Sequence, residues 1–218
     1  MSETAHDDFA ALAEARVLDH ALTLAPDQGW TWTMAYAAAK AAGFSAGEAE
    51  LLLPNGPKDL AALWSHRCDA AAMAGLTGVD PATLKIRERI RAAVRARLEA
   101  VMSQPTATRR WAGFLALPTH ATLGLRLAWE SADGLWRWAG DTATDQNHYS
   151  KRAILAEILI STLAVWLNAG ENAALAHLDG RIEAVMAFER FKAKVKLGGV
   201  GRSLAEVLGR VRYGGLGA

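Results

Sequence analysis

Residues 153–169 read AILAEILISTLAVWLNA, a nearly continuous apolar run whose interpretation decides the fold. A helix that crosses a bilayer needs about 20 such residues. This run is shorter, contains Glu157, and is flanked by segments whose apolar residues recur at helical spacing. A helix that is hydrophobic all round is more simply buried, in the middle of a bundle or at a dimer interface. The expectation is therefore a packed bundle around this segment rather than a membrane span.

Composition points the same way. The 218-residue chain is 51% hydrophobic and 22% charged, so it has the apolar content to bury a core. Alanine and leucine dominate, β-branched residues are sparse, and the few prolines fall between periodic segments, which predicts an all-α fold. Helical periodicity divides the chain into 8–25, 32–42, 46–53, 58–76, 82–102, 106–116, 119–139, 145–169, 172–196 and 202–212, about ten helices. The breaks carry turn chemistry, as at Pro54-Asn55-Gly56-Pro57, Gly78 with Asp80-Pro81, Gly140 and Gly170. Ser45 followed by Glu48 predicts a capping box.

The first sixty residues have a helix, two short helices and a turn, PNGPKDLAALW, into a longer helix. This layout is similar to the N-terminal part of TetR-type repressors, which implies a TetR-like helical bundle with a helix-turn-helix. Charge opposes a DNA-binding role. Residues 1–57 carry eight acids against Arg16 and Lys40, and the segment in the recognition-helix position, SAGEAELLL, offers Glu48 and Glu50 but no cation. A DNA reader must neutralise phosphates with basic side chains. The module is therefore expected to be vestigial, with no nucleic acid as partner.

Residues 85–110 reverse the balance, with eight cations against Glu88 and Glu99. Within LKIRERIRAAVRARLEAVM, residues 84–102, Leu84, Ile90, Val94, Leu98 and Val101 form an apolar stripe, which predicts a core-packed helix with a solvated arginine face. At the end of the chain, Leu204, Val207, Leu208 and Val211 fall on one helical face, with Arg202, Arg210 and Arg212 off it and glycines on both sides. Such a short basic amphipathic helix suits a membrane surface, or folds back onto its own domain. The expected organisation is a helix-turn-helix-like module over 1–57, a larger helical domain over 58–198 and a tail over 199–218.

Catalytic and metal patterns are missing. Cys68 is the sole cysteine, which rules out a disulfide framework and a cysteine zinc site. Six histidines are scattered one per segment, without His-Glu-x-x-His or Glu-x-x-His pairing, and no phosphate-cradling glycine loop occurs. Tyr149 and Lys151 lack the Tyr-x-x-x-Lys spacing. The expectation is a protein that is not an enzyme, with no metal and no cofactor. MSETAHDDFAALAEAR at the start is acidic and has no apolar core, so no signal peptide is expected and the location is expected to be cytoplasmic.

One cluster remains, in GLWRWAGDTATDQNHYSKRAIL, residues 134–155. If a helix starts near Thr144, then Asp145, His148, Tyr149 and Arg152 stand at i, i+3, i+4 and i+7 on one face. That face reads as a capped helix start with intrahelical pairs, as an acid–base or metal pair, or as a recognition surface, since Tyr and Arg are favoured interface anchors.

Here a specific likeness enters. The run LWRWAGDTATDQNHYSKRAILAEI resembles the signature of the coenzyme Q (ubiquinone) biosynthesis accessory proteins, a lipid-binding family with a TetR-like fold. Trp136, Ala139, Gly140, Asp141, Thr144, Asp145, Asn147, Tyr149, Lys151 and Arg152 match it, and weaker similarity runs over Gly29-Trp30-Thr31 and RLEAVMSQPTATRRWAGFLALPTHATLGL. The resemblance implies a non-enzymatic homodimer, with helices 145–169 and 172–196 at the interface. It implies an isoprenoid quinone intermediate or phospholipid as ligand and a demethoxyubiquinone hydroxylase as partner. It also implies peripheral contact with inner-membrane lipids through Leu204, Val207, Leu208, Val211, Arg210 and Arg212. Asp145, His148, Tyr149 and Arg152 would then form the docking face, where His148 stands in place of the first aromatic of the family pair. Phe114, Leu117, Leu123, Leu127, Trp136, Leu155, Leu159 and Met186 are candidates to line the lipid cavity, and each also suits plain core packing. The competing reading is a TetR-family regulator with an apolar effector.

Overall fold

A computed structural model describes residues 3–141 and 146–197, with side chains over 9–141 and 149–187. Among these residues the chain is all helix, with no strand. The helices are α1 (Glu3–Gln28), α2 (Trp32–Ala41), α3 (Ala46–Leu52), α4 (Pro57–Gly75), α5 (Ile86–Met102), α6 (Pro105–Leu115), α7 (Ala121–Trp138), α8 (Gln146–Ala169) and α9 (Glu171–Leu197). They follow the periodic segments to within a few residues, and the expected helix over 202–212 lies outside the described residues.

Local chemistry explains the boundaries. Thr31 caps α2 by accepting from the Met34 N–H at 3.1 Å. Ser45 and Glu48 form the expected capping box on α3, with the Ser45 N–H donating to Glu48 Oε2 at 2.8 Å. Pro57 and Pro105 open α4 and α6, where a missing N–H costs nothing. α5 begins at Ile86 rather than near 82, because Asp80 caps a separate 3-10 turn over Pro81–Thr83 by accepting from the Ala82 N–H.

The core has two clusters. The first joins Val17 and Leu18 of α1, Met34 of α2 and Leu60 and Trp64 of α4 to Val101, Trp111, Phe114 and Leu127. Two indoles stitch it: Trp30 Nε1 donates to the Ala107 carbonyl at 3.3 Å and Trp111 Nε1 to the Ala61 carbonyl at 3.0 Å. The second joins Ile90, Val94 and Leu98 of α5 to Leu135, Leu155, Ile158, Leu159 and Leu178.

The apolar run that opened the analysis is α8. Over Tyr149–Ala169 it is the one helix among the described residues that is long and apolar enough to cross a membrane. In the bundle, α8 packs against α7 on one side and α9 on the other, burying Leu155, Ala156, Ile158 and Leu159.

The charged segments are internally paired. In α5, Arg91 makes two bonds to Asp179 at 2.6 and 2.8 Å and Arg95 bonds Glu99 at 2.7 Å. Of the acids of α3, Glu48 is held in its cap and Glu50 accepts from the Tyr36 hydroxyl at 3.2 Å.

Gly56 tests the turn into α4. Its φ is +56° and a Cβ there would stand 2.4 Å from the Trp32 ring. Gly56→Ala should cost roughly 2–4 kcal/mol, combining left-handed backbone strain with overpacking. Thermal unfolding should drop by about 5 °C or more. Gly75→Ala, with nothing within 4 Å of the added carbon, should stay within about 2 °C of the parent, since surface changes of this kind are nearly neutral.

Candidate functional site

Two features of the second half of the bundle stand out, a buried ionic clamp at the α7–α8 corner and an apolar cavity beside it. α7 ends at Ala139 and Gly140, whose φ of +87° turns the chain out of the helix. Arg89 of α5 braces this end, donating Nη1 to the Ala139 carbonyl at 2.8 Å and Nε to the Leu84 carbonyl at 2.9 Å. The Asp141 N–H bonds back to the Trp136 carbonyl at 3.0 Å.

Into this corner comes Arg152 of α8, only 1% exposed. Its Nε donates to Asp133 Oδ1 at 2.5 Å and its Nη1 to Asp141 Oδ2 at 3.0 Å. Lys151 Nζ takes the other Asp141 oxygen at 2.6 Å and lies 5.4 Å from the centre of the Trp136 ring. Trp136 Nε1 in turn donates to the Lys151 carbonyl at 3.0 Å. Arg137 Nη2 closes the set on Asp133 Oδ2 at 2.7 Å. A buried guanidinium is tolerable only when paired and hydrogen-bonded, and here two carboxylates supply both. Burial pushes the Asp141 carboxyl up, but bonds and charge from Lys151 and Arg152 outweigh it and hold the group below the usual carboxylate range. For Arg152 burial works to lower the pKa, and the two aspartates more than reverse it.

The cavity lies between α5, α6, α7 and the second half of α8, with a volume of about 570 Å³. Val101, Leu115, Leu125, Leu159, Leu163 and Leu167 give it an apolar wall. On α7, Gly124 lets the helix pass close to Leu115, where a Cβ would stand 3.4 Å from it, and the small Ala128 lines the space one turn on. Leu125 and Ile160 line it and also face solvent, which marks its opening. Arg109 of α6 donates to the Leu167 carbonyl across one end.

A family model, COQ9, matches residues 121–189, which are α7, α8 and most of α9. Three relatives, each named ubiquinone biosynthesis protein COQ9, mitochondrial, are similar over most of this chain. The Xenopus tropicalis protein is 27% identical over 165 residues, 71% of this chain and 50% of its own length. The Rattus norvegicus protein is 29% identical over 159 residues, 70% of this chain and 51% of its own. The Homo sapiens protein is 28% identical over 159 residues, with 70% and 50% covered. The chain is thus similar to COQ9 proteins, through the family match over α7–α9 and through relatives aligned over most of its length. It spans about half the length of the curated relatives it matches.

The COQ9-like signature thereby acquires a physical role. Trp136, Gly140, Asp141, Lys151 and Arg152 hold one another and fix where α8 leaves α7. This corrects the expected docking face. Tyr149 does point outward, at 63% exposure and 6.2 Å from the Trp129 ring. Arg152, expected beside it, is instead buried, because its two carboxylate partners lie on α7 and its turn, beyond the reach of a single-helix argument. Asp145 lies outside the described residues, as do the side chain of His148 and the tail residues Leu204, Val207, Leu208, Arg210, Val211 and Arg212.

The eight candidate lining residues are dispersed. Leu159 lines the large cavity. Trp136, Leu155 and Met186 line a separate groove of about 200 Å³ against α5 and α9. Phe114 stacks on His120, ring centres 4.0 Å apart, at a surface cleft beside Trp30 and Trp32. Leu127 is buried in the first core cluster with Leu123 packed against it, and Leu117 is exposed on the α6–α7 turn. Leu125, Ile160, Leu163 and Leu167 were missed, although the small Ala128 opposite a leucine-rich helix was a readable sign of space. Among the described residues no group of three or more His, Cys, Asp or Glu side chains could hold a metal. Burial pushes the Cys68 thiol up to about 12, which makes it a poor nucleophile.

The clamp predicts a pH signature. Because the Asp141 pKa falls on folding, its stabilisation is full above the unfolded value, about pH 4, and is lost as pH drops through the lower folded value. Asp141→Asn should lower unfolding stability at pH 7 by about 2 kcal/mol, and Arg152→Met by about 3 kcal/mol. Urea midpoints for Asp141→Asn and the parent should converge below about pH 4; a gap that stays constant into acid would contradict the assignment.

Proposed function

We propose that this chain is a non-enzymatic component of ubiquinone biosynthesis that holds an isoprenoid quinone intermediate in the α5–α8 cavity. It presents that lipid to a demethoxyubiquinone hydroxylase at the membrane. The observation that carries this reading is the apolar cavity itself, open at Leu125 and Ile160, whose α7 and α8 walls fall within the COQ9 match. Lipid-sized pockets are concave and mostly apolar with a few placed polar groups, and this cavity has that character. Support also comes from the relatives, which are named for ubiquinone biosynthesis.

In this reading Tyr149 and the adjoining Trp129 mark the side on which the hydroxylase docks, and a homodimer forms through α8 and α9. The basic tail, in whose sequence Leu204, Val207, Leu208 and Val211 recur at helical spacing, makes the membrane contact. The regulator alternative finds no support in α3, whose side chains are acidic or apolar and whose Glu48 is committed to its own cap.

Native mass spectrometry of the purified protein should show a copurifying isoprenoid lipid. Ala128→Phe, which places a ring in the cavity, should reduce its occupancy about tenfold or more while the fold persists. Tyr149→Ala should weaken capture of co-expressed hydroxylase and leave lipid occupancy intact. Absence of any isoprenoid from the wild-type protein, with and without the hydroxylase, would overturn the proposal.

A further inference from the structure

The cavity is not uniform along its length, and its two ends differ in charge. At one end Ser65, Arg97 and Ser131 line it, and they are only 1%, 6% and 4% exposed. The contact of His66 Nε2 with Glu130 Oε2 at 3.1 Å sets α4 around Ser65 level with α7 around Ser131. Arg97 Nη2 donates to Ser65 Oγ at 3.0 Å and Nε to Asp69 Oδ1 at 2.5 Å. At the other end stand Ala121, Asn168 and Arg109, the last bonded to the Leu167 carbonyl rather than to a carboxylate. Ala121 and Ser131 are ten residues apart on one helix, so the ends lie about 15 Å from each other.

We infer that the Ser65–Arg97–Ser131 end is a head-group subsite for an uncharged hydrogen-bond acceptor, so that the lipid enters head first. The inference rests on the lipid-binding reading above and deepens it. The guanidinium gives this end a strong donor, yet Asp69 already neutralises its charge. A phosphate or carboxylate placed there would be an unpaired charge in an enclosed, largely apolar space, which is costly. A carbonyl or ether oxygen brings no net charge and finds donors in the guanidinium and the serine hydroxyls. The apolar tail then lies along Leu163, Ala128 and Leu115. The ligand class is a neutral oxygen-bearing head on a long hydrocarbon, and anionic lipids are disfavoured in this orientation.

The test uses the full chain, freed of lipid, and three probes of equal chain length: a farnesyl-substituted 1,4-benzoquinone, farnesyl phosphate and the hydrocarbon farnesane. The quinone should bind most tightly. Arg97→Met should weaken quinone binding about tenfold, in keeping with loss of a charge-assisted hydrogen bond, and Ser131→Ala severalfold. Farnesane binding should change less than about twofold in both. Ser131→Ala removes one oxygen only, so it keeps the test valid if Arg97→Met fails to fold. Equal loss for quinone and hydrocarbon, or no loss for either, overturns the head-group assignment while leaving the lipid reading intact. Tightest binding of farnesyl phosphate, lost in Arg109→Gln, reverses the orientation and overturns it too. If none of the three probes binds the wild-type chain, the lipid reading falls and this inference falls with it.

Discussion

Arg152 carries a charge into the interior of the bundle, and the α7–α8 corner is arranged around satisfying it. Asp133 reaches it from within α7 and Asp141 from the turn that follows, so the two acids bracket the end of one helix while the cation belongs to the next. Such an arrangement specifies an angle as well as a contact. If α8 rotated by one residue, the guanidinium would leave both carboxylates, and the buried Arg152 and Asp141 would lose each other while Asp133 kept only Arg137. That penalty is far larger than anything lost by sliding one leucine past another. The clamp also brings in Lys151 and the Trp136 indole, so each member is held by at least one other.

The position of α8 matters because its second half is a wall of the cavity. Leu159, Ile160, Leu163, Ala164, Leu167 and Asn168 face α5, α6 and α7 across about 570 Å³ of space. A bundle of leucines and alanines has every reason to close such a gap, since empty apolar space is destabilising. Three things frame it: the fixed exit of α8 at the clamp, the small Ala128 on α7, and the tie from Arg109 to the end of α8. In the proposed function this space holds the lipid, and the open rim at Leu125 and Ile160 gives it a way in.

Much of this was legible in the chain itself. Period-3.6 patterning found the described helices, the capping box on α3 stood where Ser45 and Glu48 placed it, and the apolar run at 153–169 formed one helix, α8, that buries one face against α7 and α9 and leaves much of the rest uncovered. The signature around Trp136 to Arg152 pointed to the COQ9 proteins, to which the chain proved similar. Its meaning was less accessible, because spacing along one helix can group Tyr149 with Arg152 but cannot show that Asp133 and Asp141 pull Arg152 inward. The cavity failed to appear for a related reason. Apolar residues look alike whether they touch each other or a void, so Leu127 and Leu159 were indistinguishable as candidates. Arg97 was hidden by the same logic: on a helix rich in arginine, nothing local separates the one that is buried against Ser65 and Asp69 from those that face water.

The most direct test of the account is hydrogen exchange on the full chain with and without bound farnesyl-benzoquinone. Occupation of the α5–α8 cavity predicts new protection in α6 and in α8 from Leu159 to Asn168, with the already rigid Trp136–Asp141 corner unchanged. Protection centred instead on Ile182–Met186 of α9, or none anywhere in the bundle, would contradict it.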